Sequence, residues 1–178
     1  MNCWKTINLN RQFGLNRIYL LSLLVGMLSF IFLFLVFSMV HQTGNVQDHG
    51  LLPLLIGLLV LPTVHKLMHI LPLILTNKRV KIKWKINNRI FPTFSFRTKS
   101  RMSKQTSLFI LLAPAVLITV PGIISSYLFI DYYVYFLIFS SVNLGLSFTD
   151  FLYANQVVRA PRKCLIENAK DGYDILIN

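Results

Sequence analysis

Acidic residues are scarce in this chain: six Asp and Glu stand among 178 residues, against 18 Lys and Arg, for a formal net charge of +12. Cysteine is nearly missing too, with Cys3 and Cys164 as the whole supply. Two cysteines so far apart exclude a disulfide framework and a cysteine-based metal site, and both are expected as free thiols. Internal repeats and low-complexity tracts are absent, which sets aside solenoids and repeat-built transporters. A cleaved leader is not expected either. The first apolar stretch is longer than the roughly 7–15 residues of a secretory core, and no small-residue cleavage site follows it.

What fills the chain instead is hydrocarbon. The composition is 54% hydrophobic with a mean hydropathy of +0.60, and the apolar residues come in blocks at 17–40, 51–75, 107–129 and 132–153. Each is long enough to cross a bilayer as a helix, for which about 20 residues suffice. The expected fold class is an all-α integral membrane protein of four transmembrane helices, a single membrane domain over 1–178 with a basic loop at 76–106 and a tail at 154–178.

The positive charge is unevenly placed. Lys5, Arg11 and Arg17 precede the first apolar core, and ten more Lys and Arg lie between spans two and three. Arg159, Arg162, Lys163 and Lys170 follow span four. The connections between spans one and two and between spans three and four carry none. Lys and Arg mark cytoplasmic loops, so the expectation is a multi-pass protein of the cell membrane with both termini, the loop and the tail cytoplasmic. The partner that this basicity implies is the lipid bilayer, through its anionic headgroups. Nucleic acid is not expected, since no basic groove interleaved with aromatics accompanies the charge.

Within the basic loop, Val80, Ile82, Trp84 and Ile86 alternate with Lys81, Lys83 and Lys85. Asn87-Asn88 supplies turn residues, and Ile90, Phe94 and Phe96 continue the apolar positions. Period-two alternation around an Asn-rich centre predicts a cytoplasmic β-hairpin over 80–96, with Pro92 keeping its second strand at an edge.

Ionisable residues are nearly excluded from the spans. Asp150 is the one acid and Lys66 the one Lys or Arg within their apolar cores. A charge in hydrocarbon is costly, so each marks a candidate site with a partner. Ser140, Asn143, Ser147 and Asp150 recur at helical spacing and form a polar stripe on span four, which is expected to face span two. Span two answers with His65 and His69 at i and i+4, between Pro62 and Pro72. Counted from the inner ends of their spans, His69 and Asp150 agree in depth within about 5 Å, with His65 one turn further in. Two His and one Asp with a fourth position open to water are the ligand set of a catalytic zinc site. A Lys66–Asp150 ion pair in place of a metal is the competing arrangement. His41 and His49, with Asp48, sit at the outer ends of spans one and two and read as ordinary interface histidines.

These motifs together resemble a family of small bacterial membrane proteins, the putative zincin peptidases, reduced relatives of the site-2 intramembrane metalloproteases. The likeness rests on His65-Lys66-Leu67-Met68-His69 and Ser147-Phe148-Thr149-Asp150-Phe151. It continues in Ala160-Pro161-Arg162-Lys163 and Asp171-Gly172-Tyr173, covering roughly residues 50–178. The resemblance implies His65, His69 and Asp150 as metal ligands, zinc as the cofactor, and a general-base glutamate at position 66. This chain has Lys66 there, and an ammonium cannot accept a proton from metal-bound water. The expected function is therefore a degenerate, non-catalytic member of the family that binds or regulates another membrane protein or peptide segment. An active zinc-dependent peptidase with an unusual base, and a small transporter or proton relay, are the alternatives.

Overall fold

The computed structural model describes residues 2–41, 50–75, 81–85, 93–97, 101–169 and 172–177. The chain opens with strand β1 (Asn2–Ile7), a short helix α1 (Leu9–Phe13) and the long helix α2 (Leu15–His41). Helices α3 (Leu51–Met68) and α4 (Ile70–Leu75) follow, then strands β2 (Lys81–Lys85), β3 (Thr93–Arg97) and β4 (Met102–Ser103). Helix α5 (Lys104–Pro114) passes through a π-helical turn, Ala115–Thr119, into α6 (Val120–Leu128). Helix α7 (Tyr133–Val158) and strands β5 (Cys164–Ala169) and β6 (Gly172–Ile177) close the fold.

Among the described residues, four helical segments are long and apolar enough to cross a membrane: Leu15–His41, Leu51–Ile74, Lys104–Leu128 and Ile130–Val158. They match the four blocks expected from the sequence, with the first and fourth longer at both ends and the third starting earlier. The fourth runs past 153 because Ala154 and Val157 are buried against Leu111 and Ile166, so packing carries the helix on. The third starts earlier, at Lys104, because the Ser103 hydroxyl caps it by accepting from Thr106 N–H at 3.3 Å.

Helix α7 is the hub, packing against α2, α3, α5 and α6. Its crossing with α2 is close enough for the backbones to touch. A Cβ on Gly145 would lie 2.8 Å from the Ser22 carbonyl oxygen and 3.3 Å from Gly26 Cα. Small residues on both sides let the two helices approach this closely.

The all-α expectation needs correcting. Besides the helices there is a four-stranded antiparallel sheet in the order β1-β6-β5-β4. It sits at one end of the bundle and joins the first strand of the chain, the segment just ahead of α5, and the part that the sequence suggested was a plain tail. Its Ile7, Ile166 and Ile175 are wholly buried, packed with Leu9, Ile18, Ala154, Val157, Ala160 and Cys164. Burial of each such side chain is worth about 1.5–3 kcal/mol, which explains why these stretches form a sheet instead of trailing. A Cβ on Gly172 would overlap the Ile7 carbonyl oxygen, so glycine is needed for β6 to reach β1. At the same end Lys104 Nζ donates to the carbonyls of Val158 and Ala160 at 2.8 and 2.6 Å, capping the C-terminus of α7.

The expected hairpin is present as its two strands. β2 and β3 pair antiparallel, Lys81 opposite Arg97, Ile82 opposite Phe96 and Trp84 opposite Phe94. Its turn, with Asn87, Asn88 and Pro92, lies outside the described residues.

Candidate metal centre

The centre forms where α3 breaks. Pro72 has no N–H to return to the carbonyl four residues back, Met68, and α3 ends at that residue. His65 in its last turn is buried, and His69 sits in the break before α4. Their rings stand 5.3 Å apart and nearly perpendicular, at 84°. Asp150 comes from α7, and its Oδ2 lies 3.1 Å from His65 Nε2 and 3.5 Å from His69 Nε2. One ligand atom from each of the three lies within 4.8 Å of the others, the one such group of His, Cys, Asp or Glu among the described residues.

The outward nitrogens determine what the inward ones can do. His69 Nδ1–H donates to the Ile110 carbonyl at 2.7 Å. That carbonyl is available because its usual helical donor would be residue 114, a proline without an N–H. His65 Nδ1–H donates to Asn143 Oδ1 at 2.9 Å. With Nδ1 so engaged, each imidazole turns its Nε2 toward the same carboxylate oxygen. Three electron-rich atoms this close repel one another unless a cation or a proton lies among them. Histidine ligands whose other nitrogen is fixed by a carbonyl or amide oxygen are the usual support of a metal ion, so the residues present fit zinc.

Lys66 does not join the group. Among the described residues the ion-pair partners of Asp150 are His65 and His69, so the Lys66–Asp150 pair suggested by depth alone is not formed. One residue along a helix turns the side chain by about 100°. A helix that points both His65 and His69 at Asp150 must turn Lys66 aside. The polar stripe also has a different neighbour from the one expected. Asp150 and Asn143 reach α3, but the Asn143 amide nitrogen donates to the Pro114 carbonyl at 3.0 Å and to Thr119 Oγ1 at 2.9 Å. Ser147 turns its hydroxyl back onto the Asn143 carbonyl at 2.8 Å, and Ser140 lies against Gly122 of α6.

The sheet closes the near side. The Tyr173 ring of β6 meets Tyr153 edge-on with centroids 5.0 Å apart. Burial first, then the Asp150 carboxylate and Tyr153, push the Tyr173 phenol well above its ordinary value, so it stays protonated beside the site. His41 is remote from all of this. Its Nε2–H donates to the Ser126 carbonyl at 3.1 Å, and it packs on Phe37, Tyr127 and Tyr133. Asp48 and His49 lie outside the described residues.

A family model described as putative zincin peptidase matches residues 58–165, more than half of the chain and including His65, His69, Asn143 and Asp150. The chain belongs to this family. No curated protein and no solved structure matches it. As a zincin-family chain it keeps both histidines of the H-x-x-x-H frame, with Lys66 between them.

Sequence reasoning passed over three contributors: the Ile110 carbonyl, Thr119, and the attachment of Asn143 to His65. Pro114, four residues after Ile110, was the available signal for the first. The stripe expected to face span two pointed toward the third of these, while Thr119 had no signal, because a π-helical turn sets which way it faces.

Proposed function

We propose that the protein is a multi-pass membrane protein that holds zinc between His65, His69 and Asp150 but lacks the family's base-driven peptide hydrolysis, and that it binds or regulates another membrane protein. The observation that carries the metal half of this reading is the convergence of two Nε2 atoms on Asp150 Oδ2. Zinc bound there would supply a Lewis acid and a water of lowered pKa. His65 and His69 bind it, and Asn143 and the Ile110 carbonyl orient them. Lys66 cannot take a proton from that water as a carboxylate would, and the intramembrane acid, Asp150, is already engaged by both histidines.

The membrane half rests on the four apolar helices. The shared sheet brings β1, β4, β5 and β6 to one end of the bundle. That end carries Lys5, Arg11, Arg17, Arg101, Lys104, Arg159, Arg162 and Lys163, which by the positive-inside rule makes it the cytoplasmic one. Cys3 is exposed there and Cys164 is buried. A membrane-impermeant maleimide is therefore expected to label Cys3 in inside-out vesicles and not in intact cells; the reverse pattern inverts the topology.

Metal analysis of the purified protein beside the His65→Ala/His69→Ala variant tests the rest. One zinc per chain in the wild type and none in the variant is the expected result, together with no zinc-dependent cleavage of a transmembrane peptide in proteoliposomes. The same convergence favours a second reading, an active peptidase whose base comes from its substrate. Chelator-sensitive cleavage by the wild type would select it.

A further inference from the structure

Asn143 is wholly buried, and every polar atom of its side chain is engaged by a different element. Its Oδ1 faces His65 Nδ1 at 2.9 Å, and its Nδ2 faces the Pro114 carbonyl and Thr119 Oγ1. A carbonyl oxygen can only accept, so the atom near Pro114 must be the amide nitrogen, and the atom near His65 must be the oxygen. An amide oxygen can only accept in turn, so His65 carries its proton on Nδ1. Thr119 lies five residues after Pro114, which in an α-helix would turn it about 140° away. The π-helical turn Ala115–Thr119 brings the two onto one side, and Asn143 is clamped between them.

We propose that Asn143 is the positioning residue of the centre. Held by Pro114 and Thr119, it locks His65 in the Nδ1–H tautomer, with Nε2 presented to the metal, and so sets zinc affinity from outside the ligand set. The affinity part of this inference rests on the metal reading above; the tautomer part does not.

The test uses the full chain with ¹⁵N-labelled histidine, with chelator competition for zinc affinity and nitrogen chemical shifts for the tautomer. Asn143→Leu removes the acceptor at similar volume. It is expected to weaken zinc about 10–100-fold, the usual cost of losing such a partner, and to abolish the Nδ1–H signature of His65. Asn143→Asp restores an acceptor for His65 but cannot donate to the Pro114 carbonyl, so it is expected to recover only part of both. Thr119→Val loosens the clamp at one point and should give a smaller loss in the same direction. Wild-type affinity and an unchanged tautomer in Asn143→Leu overturn the proposal. If the wild type takes up no zinc, the metal reading fails, and the tautomer in the metal-free protein decides: lost in Asn143→Leu, the lock stands; unchanged, it falls. If Asn143→Leu does not fold, an Nε2–H tautomer of His65 in the wild type overturns the proposal by itself, and Nδ1–H that weakens in Thr119→Val sustains it.

Discussion

The bundle has a histidine-bearing region at each end, and the two are built on different physics. At the far end His41 has one hydrogen bond, to the Ser126 carbonyl, and otherwise packs as one more ring among Phe37, Tyr127 and Tyr133. At the sheet end His65 and His69 are each held at Nδ1 by an acceptor on another helix, and each turns Nε2 toward Asp150. The residue type is the same, and each sits on one of the long apolar helical segments. What separates the two ends, among the described residues, is what the other nitrogen meets: at the sheet end two of them converge on one carboxylate oxygen. A centre needs residues that hold the ligands as much as it needs the ligands.

The sharpest way to break this contrast is to remove histidines at each end in turn. His65→Ala/His69→Ala is expected to take zinc from one per chain to none, and His41→Ala to leave it unchanged, by metal analysis of protein in detergent. Equal losses would erase the distinction. Next in size is Lys66→Glu, which places a carboxylate beside the metal ligands. General-base catalysis contributes about 10²–10⁴-fold, so zinc-dependent cleavage of a transmembrane peptide in proteoliposomes should appear above the wild-type background. No rise would mean that the centre is unfit for hydrolysis for reasons other than Lys66. Between the two ends, Gly145→Leu drives a side chain into the α2 backbone and should destabilise the fold by about 1–3 kcal/mol in detergent unfolding. The smallest effect is assigned to Lys104→Met at the sheet end. It leaves two carbonyls at the end of α7 without their donor, at about 1 kcal/mol by the same measurement.

Much of this was legible in the residues. Run length alone located the four long helices, and strict alternation located β2 and β3. The i, i+4 histidines and the depth of Asp150 were enough to bring His65, His69 and Asp150 into one neighbourhood. Depth is only one coordinate, however. It placed Lys66 as near to Asp150 as the histidines, and the rotation of α3 decides otherwise. The four-stranded sheet escaped because its strands come from residues 2–7, 102–103, 164–169 and 172–177, and none of them signals a partner so distant in sequence. Asn143 stood out as one of a polar stripe, yet its two clamps come from a π-helical turn. Spacing rules written for 3.6 residues per turn do not see that geometry.

The pairing of β1 with β6 has a further consequence, for the order of assembly. Asn2 to Ile7 meet Ile177 to Tyr173 in one ladder, so β1 must wait until residues 172–177 have been made before it has this partner. Helices can form and insert as they emerge, but this sheet closes last, with the loop-closure entropy of a long intervening chain against it. Until then Ile7, Leu9 and Ile18 stand uncovered, and the ends of α5 and α7 that carry Ile110 and Asp150 lack the layer that covers them. The centre is thus expected to mature only after β6 has been made, when it and β1 meet beneath it.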